Sequence, residues 1–344
     1  MSPKQSHRLR ANSTAINRQK PVQFTFDGKK YTGFEGDTLA SALLAHGVHL
    51  VGRSFKYHRP RGILGCGSEE PNALIRVRHP SNAEPNLRAT QLEIYDGLVA
   101  ESQNRFPSLN IDFLSINSMF ARFFPAGFYY KTFMWPASLW MFYERFIRQA
   151  AGLGKVSKNH HDPDRYEHKY AHCDLLVAGG GASGLQAALV AANAGARVII
   201  ADEQSELGGW LLTDNNFNID QKPAMDWAST VIKKLHSMPN VTCLVRTTIA
   251  ASMDDNFILM AERVTEHLSI KEAHLPKQRL WKLRAAKVIL ATGAIERPLI
   301  FSGNDLPGVM LSSAARSYIF RYDVLAGTRA IIFTNNDDAY YTAL

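Results

Sequence analysis

The sequence predicts an α/β protein with a small α+β module at its N-terminal end, on three observations. A strand–turn–strand–helix pattern fills residues 22–47. A glycine-rich turn joins an apolar strand to an amphipathic helix at 173–192, and a later apolar strand ends in Ala291-Thr292-Gly293. With 344 residues, 46% of them hydrophobic and 20% charged, the chain can bury more than one core.

Val22, Phe24 and Phe26 alternate with polar residues, Asp27-Gly28 is a two-residue hairpin turn, and Lys30–Phe34 returns as a second strand. Asp37 suits a helix N-cap, Leu39, Leu43 and Leu44 share one apolar face, and Gly47 suits the C′ position. Further strands are expected at Val48–Val51 and Ala73–Val77, so residues 21–95 read as a β-grasp module behind a basic, unordered tail at 1–20. Residues 96–171 read as a connector and linker. Met119–Ile147 is dense in aromatics, but Lys131, Pro125, Gly127 and Pro136 argue against a membrane span and for packing on a partner surface. The polar, His-rich run Val156–His172 reads as an exposed linker, with no metal-ligand spacing.

Residues 172–344 read as a Rossmann-like domain. The strand Cys173–Ala178 runs into Gly179-Gly180-Gly181-Ala182-Ser183-Gly184, and Leu185, Ala188, Leu189 and Ala192 stripe the helix that follows. Gly179 permits the tight turn, Gly181 lets backbone amides approach a pyrophosphate, and Gly184 allows close helix–strand packing. Arg197–Ala201 is the second strand; Asp202 and Glu203 at its end suit a ribose hydroxyl, and Gln204-Ser205 after them disfavour a 2′-phosphate. Thr247-Thr248-Ile249 ends a third strand, Val241–Arg246, near where an adenine would lie. Ala286–Leu290 leads to Ala291-Thr292-Gly293, a pattern of two-dinucleotide flavoprotein folds that Gly208-Gly209 also fits. Arg329–Phe333 and the residues to Leu344 read as a second strand–helix crossover cut short, which predicts a truncated chain.

The net charge of +8 lies wholly in residues 1–88, which hold 14 Lys/Arg and 6 Asp/Glu. A generally basic, nucleic-acid-binding protein is therefore excluded. Cys66, Cys173 and Cys243 are odd in number and far apart, which points to a reducing, cytoplasmic setting with no disulfide framework. Arg53, Arg59 and Arg61, interleaved with Phe55 and Tyr57, are candidates for a phosphate or partner contact. No nucleophile or general-base constellation is readable by spacing, so no catalytic residue is assigned.

The segments Gly52–Gly62, Phe123–Trp135, Gly179–Gly184 and Val288–Pro298 together resemble the alpha subunits of heterotetrameric sarcosine oxidases. More loosely, they resemble the large subunits of opine oxidases, dye-linked proline dehydrogenases and hydrogen cyanide synthase. The resemblance implies beta, gamma and delta partner subunits. It also implies amine oxidation at FAD on beta, FMN at the alpha–beta interface where dioxygen becomes hydrogen peroxide, and NAD in the alpha Rossmann site. By position, Gly179, Gly181, Ser183, Gly184, Asp202, Glu203, Gln204, Gly209, Ile249 and Gly293 would line that NAD site. The family's tetrahydrofolate-binding, aminomethyltransferase-like domain has no counterpart in these residues. The N-terminal module resembles a [2Fe-2S] ferredoxin domain but keeps only Cys66, so no metal is expected there. A non-catalytic NAD-binding scaffold is the alternative of another class.

Overall fold

The computed structural model describes residues 5–10, 15–79, 83–123, 127, 135–150, 154, 162–213, 217–269, 272 and 274–344. Contacts divide the chain into two units. One comprises Met1–Asp162, Arg297–Tyr318 and Tyr322–Leu344; the other comprises Pro163–Glu296 and Ile319–Arg321.

In the first unit, strands β1 (Asn17–Phe26) and β2 (Lys29–Glu35) form the expected hairpin, but β1 starts inside the stretch expected as an unordered tail, because Asn17 pairs with Glu35. Its turn residues Asp27 and Gly28 have φ of 46° and 78°, which suits the right-handed twist of the flanking strands. Helix α1 (Leu39–Ala45) is buried along its whole length. Thr38, not the expected Asp37, caps it, accepting from Ser41 N at 3.1 Å. Asp37 is instead turned inward to Arg8 Nη2 at 2.6 Å and Ser41 Oγ at 2.7 Å. Gly47 closes the helix with φ +72°. Val48–Val51 forms no strand; pairing begins one residue later, in the short hairpin of β3 (Gly52–Arg53) and β4 (Pro60–Arg61). Strands β5 (Leu74–Arg78), β6 (Ala83–Arg88) and β7 (Leu98–Ser102) complete a five-stranded sheet in the order β2-β1-β7-β5-β6, with β1 and β7 parallel. Its core joins Phe24, Phe26, Leu43, Ile75 and Leu98. Helix α2 (Trp140–Ala150) follows; the aromatic stretch before it includes 124–126 and 128–134, which lie outside the described residues.

The second unit opens on β8, which spans Tyr166–Ala178. Tyr166–His172, expected as linker, is therefore strand. It pairs in parallel with β15 (Gln278–Leu290), and cross-strand neighbours hold it: Glu167 bonds Arg279, Lys169 lies over the Trp281 ring at 4.5 Å, and Lys282 lies over Tyr170 at 5.0 Å. Between them come helix α3 (Ala182–Asn193), β9 (Val198–Ala201), a two-residue hairpin of β10 (Asn218–Ile219) and β11 (Lys222–Pro223), helix α4 (Ala224–Ser237), β12 (Val241–Leu244), β13 (Thr247–Met253) and β14 (Phe257–Arg263). The six-stranded sheet runs β12-β9-β8-β15-β14-β13; the first four strands are parallel, and β13, β14 and β15 form an antiparallel meander. Thr247–Ile249 thus opens a new strand and does not end the third. Val198 and Ile200 bury one face of the sheet beneath α3 and α4, with Leu185, Ala188, Val231 and Leu235. Ile199 and Ala201 face the opposite core, with Met260, Trp281 and Leu283.

Two helices close the chain: α5 (Ser312–Tyr322) and α6 (Asp338–Ala343). Leu311, Ala314, Tyr318 and Val324 belong to the core of the first unit, so residues 297–318 and 322–344 group with it and not with the dinucleotide domain. Arg329–Phe333, expected as a strand, carries no ladder: no described strand pairs with it, and Ile331 is 92% exposed. A strand is stabilised by the strands it pairs with, and among the described residues this segment has none.

Candidate dinucleotide site

In the second unit, β8 ends at Ala178 and the chain turns through Gly179-Gly180-Gly181 into α3. The glycines there have different physical reasons. Gly179 has φ +103°, and a Cβ on it would drive into the backbone of Ala291. A Cβ on Gly184 would collide with the carbonyl oxygen of Gly179. Gly181 has an ordinary φ of −74° and nothing within 4 Å of where a Cβ would sit. Among the described residues no contact requires glycine at 181, and its missing Cβ leaves that side of the turn open. Gly181 is also the N-cap of α3 and makes no side-chain cap hydrogen bond, so no capping side chain meets the positive end of the helix dipole there.

The remaining predicted residues gather around that turn. Asp202, 8% exposed, accepts from Gly180 N at 2.7 Å through one carboxylate oxygen and from Gln204 N at 2.9 Å through the other. Each oxygen keeps a lone pair for a further donor such as a ribose hydroxyl. Gly208 N donates to Gly180 O at 2.9 Å, and Gly209, at φ +54°, lies so close that its Cβ would be 2.9 Å from Gly181 Cα. Ala291 N donates to Ala178 O at 2.7 Å, which lays Ala291-Thr292-Gly293 across the loop; Gly293 has φ +71°. Thr247 N donates to Asp202 O at 2.8 Å, so β13 starts beside the acid, while Ile249, two residues on, packs against the core that includes Ile199 and Ala201. Ser183 is exposed and Glu203 half-buried.

Sequence reading missed three neighbours. Trp210 comes nearest to a Cβ on Gly293, at 3.9 Å. Arg321 bonds the Gln204 side chain and Glu206 Oε1, and Arg263 donates to Glu203 O at 2.9 Å. No local signal links 263 or 321 to a loop at 203–206; the fold alone brings them there.

The three candidate arginines of the first unit have partners within it. Arg53 donates through Nε to Leu109 O at 2.9 Å and through Nη1 to His58 O at 3.0 Å. Nearby, the buried His58 and Asp112 side chains bond at 2.7 Å. Arg59 and Arg61 both pair with Asp305. Burial raises the Asp305 carboxyl, but the pairs with Arg61 and Arg59 outweigh it and hold the group below the usual carboxylate range. Arg59 is the most exposed of the three side chains. Among the described residues, no cluster of His, Cys, Asp and Glu is placed to hold a metal ion, and no helix is long and apolar enough to cross a membrane.

A mixed α/β dinucleotide domain of the oxidoreductase type, accompanied by a ferredoxin-like module, is the class that this fold and site define. Residues 19–105 match the family described as 2Fe-2S iron-sulfur cluster binding domain, and residues 174–279 the family described as FAD dependent oxidoreductase. The chain is 56% identical to the alpha subunit of sarcosine oxidase from Rhizobium meliloti (strain 1021), over 95% of this chain and 33% of that one. It is 38% identical to the alpha subunit of sarcosine oxidase from Corynebacterium sp. (strain U-96), over 97% of this chain and 30% of that one. An opine oxidase subunit of Agrobacterium tumefaciens (strain Ach5) is 31% identical over 42% of this chain and 28% of its own. The crystal structure of L-proline dehydrogenase from P. horikoshii superposes with a TM-score of 0.61 at 20% identity, covering 93% of this chain and 50% of that one, and so shares the fold. The chain belongs to the sarcosine oxidase alpha-subunit family, and it spans about a third of the length of the curated relatives it matches.

Proposed function

We propose that this chain is the dinucleotide-binding part of a sarcosine oxidase alpha subunit, with NAD held in its second unit. The observation that supports the dinucleotide reading is Gly181, a glycine at the mouth of α3 that no contact among the described residues requires. In this reading the free N–H groups of α3 receive the pyrophosphate, Asp202 receives the adenosine ribose, and Ala291–Gly293 covers the loop. Ser183, Glu203, Gln204, Gly209 and Ile249 line the rest. These features recognise the adenosine-diphosphate half that NAD and FAD share; the choice of NAD follows from the family. A bound nicotinamide would accept or give a hydride, whereas the residues named here only bind and orient.

The complex would oxidatively demethylate sarcosine to glycine with dioxygen, giving hydrogen peroxide and formaldehyde or 5,10-methylenetetrahydrofolate. Amine oxidation would take place at FAD on a beta subunit, with FMN at the alpha–beta interface and gamma and delta subunits completing the assembly. Identity of 56% over nearly the whole chain favours sarcosine over an opine or proline substrate. Arg59, the most exposed of the three arginines, remains for a phosphate or partner contact. Assaying the assembled complex with sarcosine, octopine and proline tests the substrate: turnover of sarcosine alone is expected, and preference for either of the others would overturn it.

A further inference from the structure

The first unit matches a family described as cluster-binding, yet its loop does not fit a cluster. A [2Fe-2S] centre of the plant type takes three thiolates at C-x4-C-x2-C and a fourth from elsewhere. Counted from Cys66, the spacing reaches Pro71 and Leu74, neither of which ligates iron. Counted one residue earlier, it falls on Gly65, Glu70 and Ala73. Hydrogen bonding selects this second register. The Glu70 carboxylate, 1% exposed, accepts from Leu64 N and Gly65 N, both at 2.7 Å, and from Asn72 N at 2.6 Å and Ala73 N at 3.1 Å. Both of its oxygens are used twice, which is the full acceptor capacity of an ionised carboxylate. Glu69 accepts from Cys66 N at 2.6 Å and Gly67 N at 3.0 Å. Tyr318 Oη to Gly65 O at 3.0 Å and Thr90 Oγ1 to Gly67 O at 2.7 Å fix the loop's outer side.

In a cluster-bearing domain, the loop's inward N–H groups bond to sulfur and tune the centre. Here six consecutive or near-consecutive amides converge on two carboxylates. We propose that Glu70, with Glu69, replaces the iron–sulfur cluster as the anion around which the 64–73 loop is wound, leaving a module that folds without iron and carries no electrons. The replacement is a substitution in kind: a buried anion with inward amides, in which the carboxylate comes from the chain itself. Burial pushes the Glu70 carboxyl up, and its four N–H bonds pull against that rise; the signature to read is the local order of the loop.

Amide hydrogen exchange on the iron-free full chain tests this directly. Leu64, Gly65, Asn72 and Ala73 amides should exchange about 100-fold or more below random-coil rates in the wild type. Glu70→Ala should raise those rates about tenfold or more, and Cys66→Ser should leave them unchanged. Anaerobic treatment of the wild type with ferrous iron and sulfide should yield no stoichiometric cluster by iron assay or visible absorption. Random-coil exchange in the wild type, unchanged protection in Glu70→Ala, or a stoichiometric cluster would each overturn the proposal. Should Glu70→Ala fail to fold, the wild-type exchange and iron measurements decide the matter alone.

Discussion

Gly181 and Gly184 sit three residues apart and answer to different physics. Adding a methyl at 184 forces the helix off the strand, because the new carbon meets the backbone oxygen of Gly179. Overpacking of this kind costs about 1–3 kcal/mol, so Gly184→Ala should lower the melting midpoint with or without nucleotide. Adding one at 181 meets nothing. At that compatible φ a gain of about 0.4–1 kcal/mol from a stiffer unfolded chain opposes alanine's poorer fit at the N-cap, so Gly181→Ala should leave stability within about 1 kcal/mol of wild type while weakening dinucleotide binding tenfold or more, about 1.4 kcal/mol. Paired thermal melts and binding titrations check both substitutions; a Gly181→Ala protein that binds as tightly as wild type would remove the reason for that glycine. Both residues were legible as site glycines, since the motif lies between a strand and a helix. Their separate reasons were not, because they depend on what stands opposite each Cα.

Among the elements, a clamp joins β8 to the start of β9 where their pairing begins, at Leu175 and Val198. Asp174 accepts from Arg197 Nη2 at 2.7 Å, from its Nε at 3.1 Å and from its backbone N at 2.8 Å. The Arg197 side chain, then its N–H, hold the Asp174 carboxyl down at about 2. A depressed carboxylate contributes stability above its unfolded value of 3.8 and loses it as pH falls through about 2, so the clamp is lost between pH 4 and 2. Following the Asp174 carboxyl by NMR should show a midpoint near 2 that climbs towards 3.8 in Arg197→Ala; an unmoved midpoint would assign the shift elsewhere. Helix α3 depends on burial: Leu185 is fully enclosed, and Leu185→Ala should cost about 2–5 kcal/mol in denaturant unfolding. The hairpin at Asp27-Gly28, helix α1 and the β8–α3–β9 crossover were readable because their signals are local. The meander β13–β14–β15 and the first half of β8 were not. Tyr166–His172 is polar and mostly exposed, and it is strand because Glu167, Lys169 and Tyr170 meet Arg279, Trp281 and Lys282 more than 100 residues away. Arg329–Phe333 fails in the opposite sense, with strand composition and no ladder to join.

At the scale of the whole molecule, the +8 charge reads differently once its partners are known. Arg8 and Arg18 are held by Asp37 and Asp323, and Arg59 and Arg61 by Asp305, all within the first unit. These four arginines are thus fixed in local ion pairs, which place part of the basic charge within the fold while the net charge stays at +8. What unites the two units is a preference for anions at backbone amides: Glu70 and Glu69 in one loop, Asp202 at the glycine turn, and the open N-terminus of α3 beside it. The first two sites are filled by the chain's own carboxylates. The third is where the proposed pyrophosphate would bind, and on it the functional reading stands. Denaturing the purified protein and identifying the released cofactor by mass spectrometry is its most direct test. About one NAD per chain is predicted, lost on Gly181→Ala; stoichiometric FAD in its place, or no dinucleotide from the wild type together with no binding of added NAD, would contradict it.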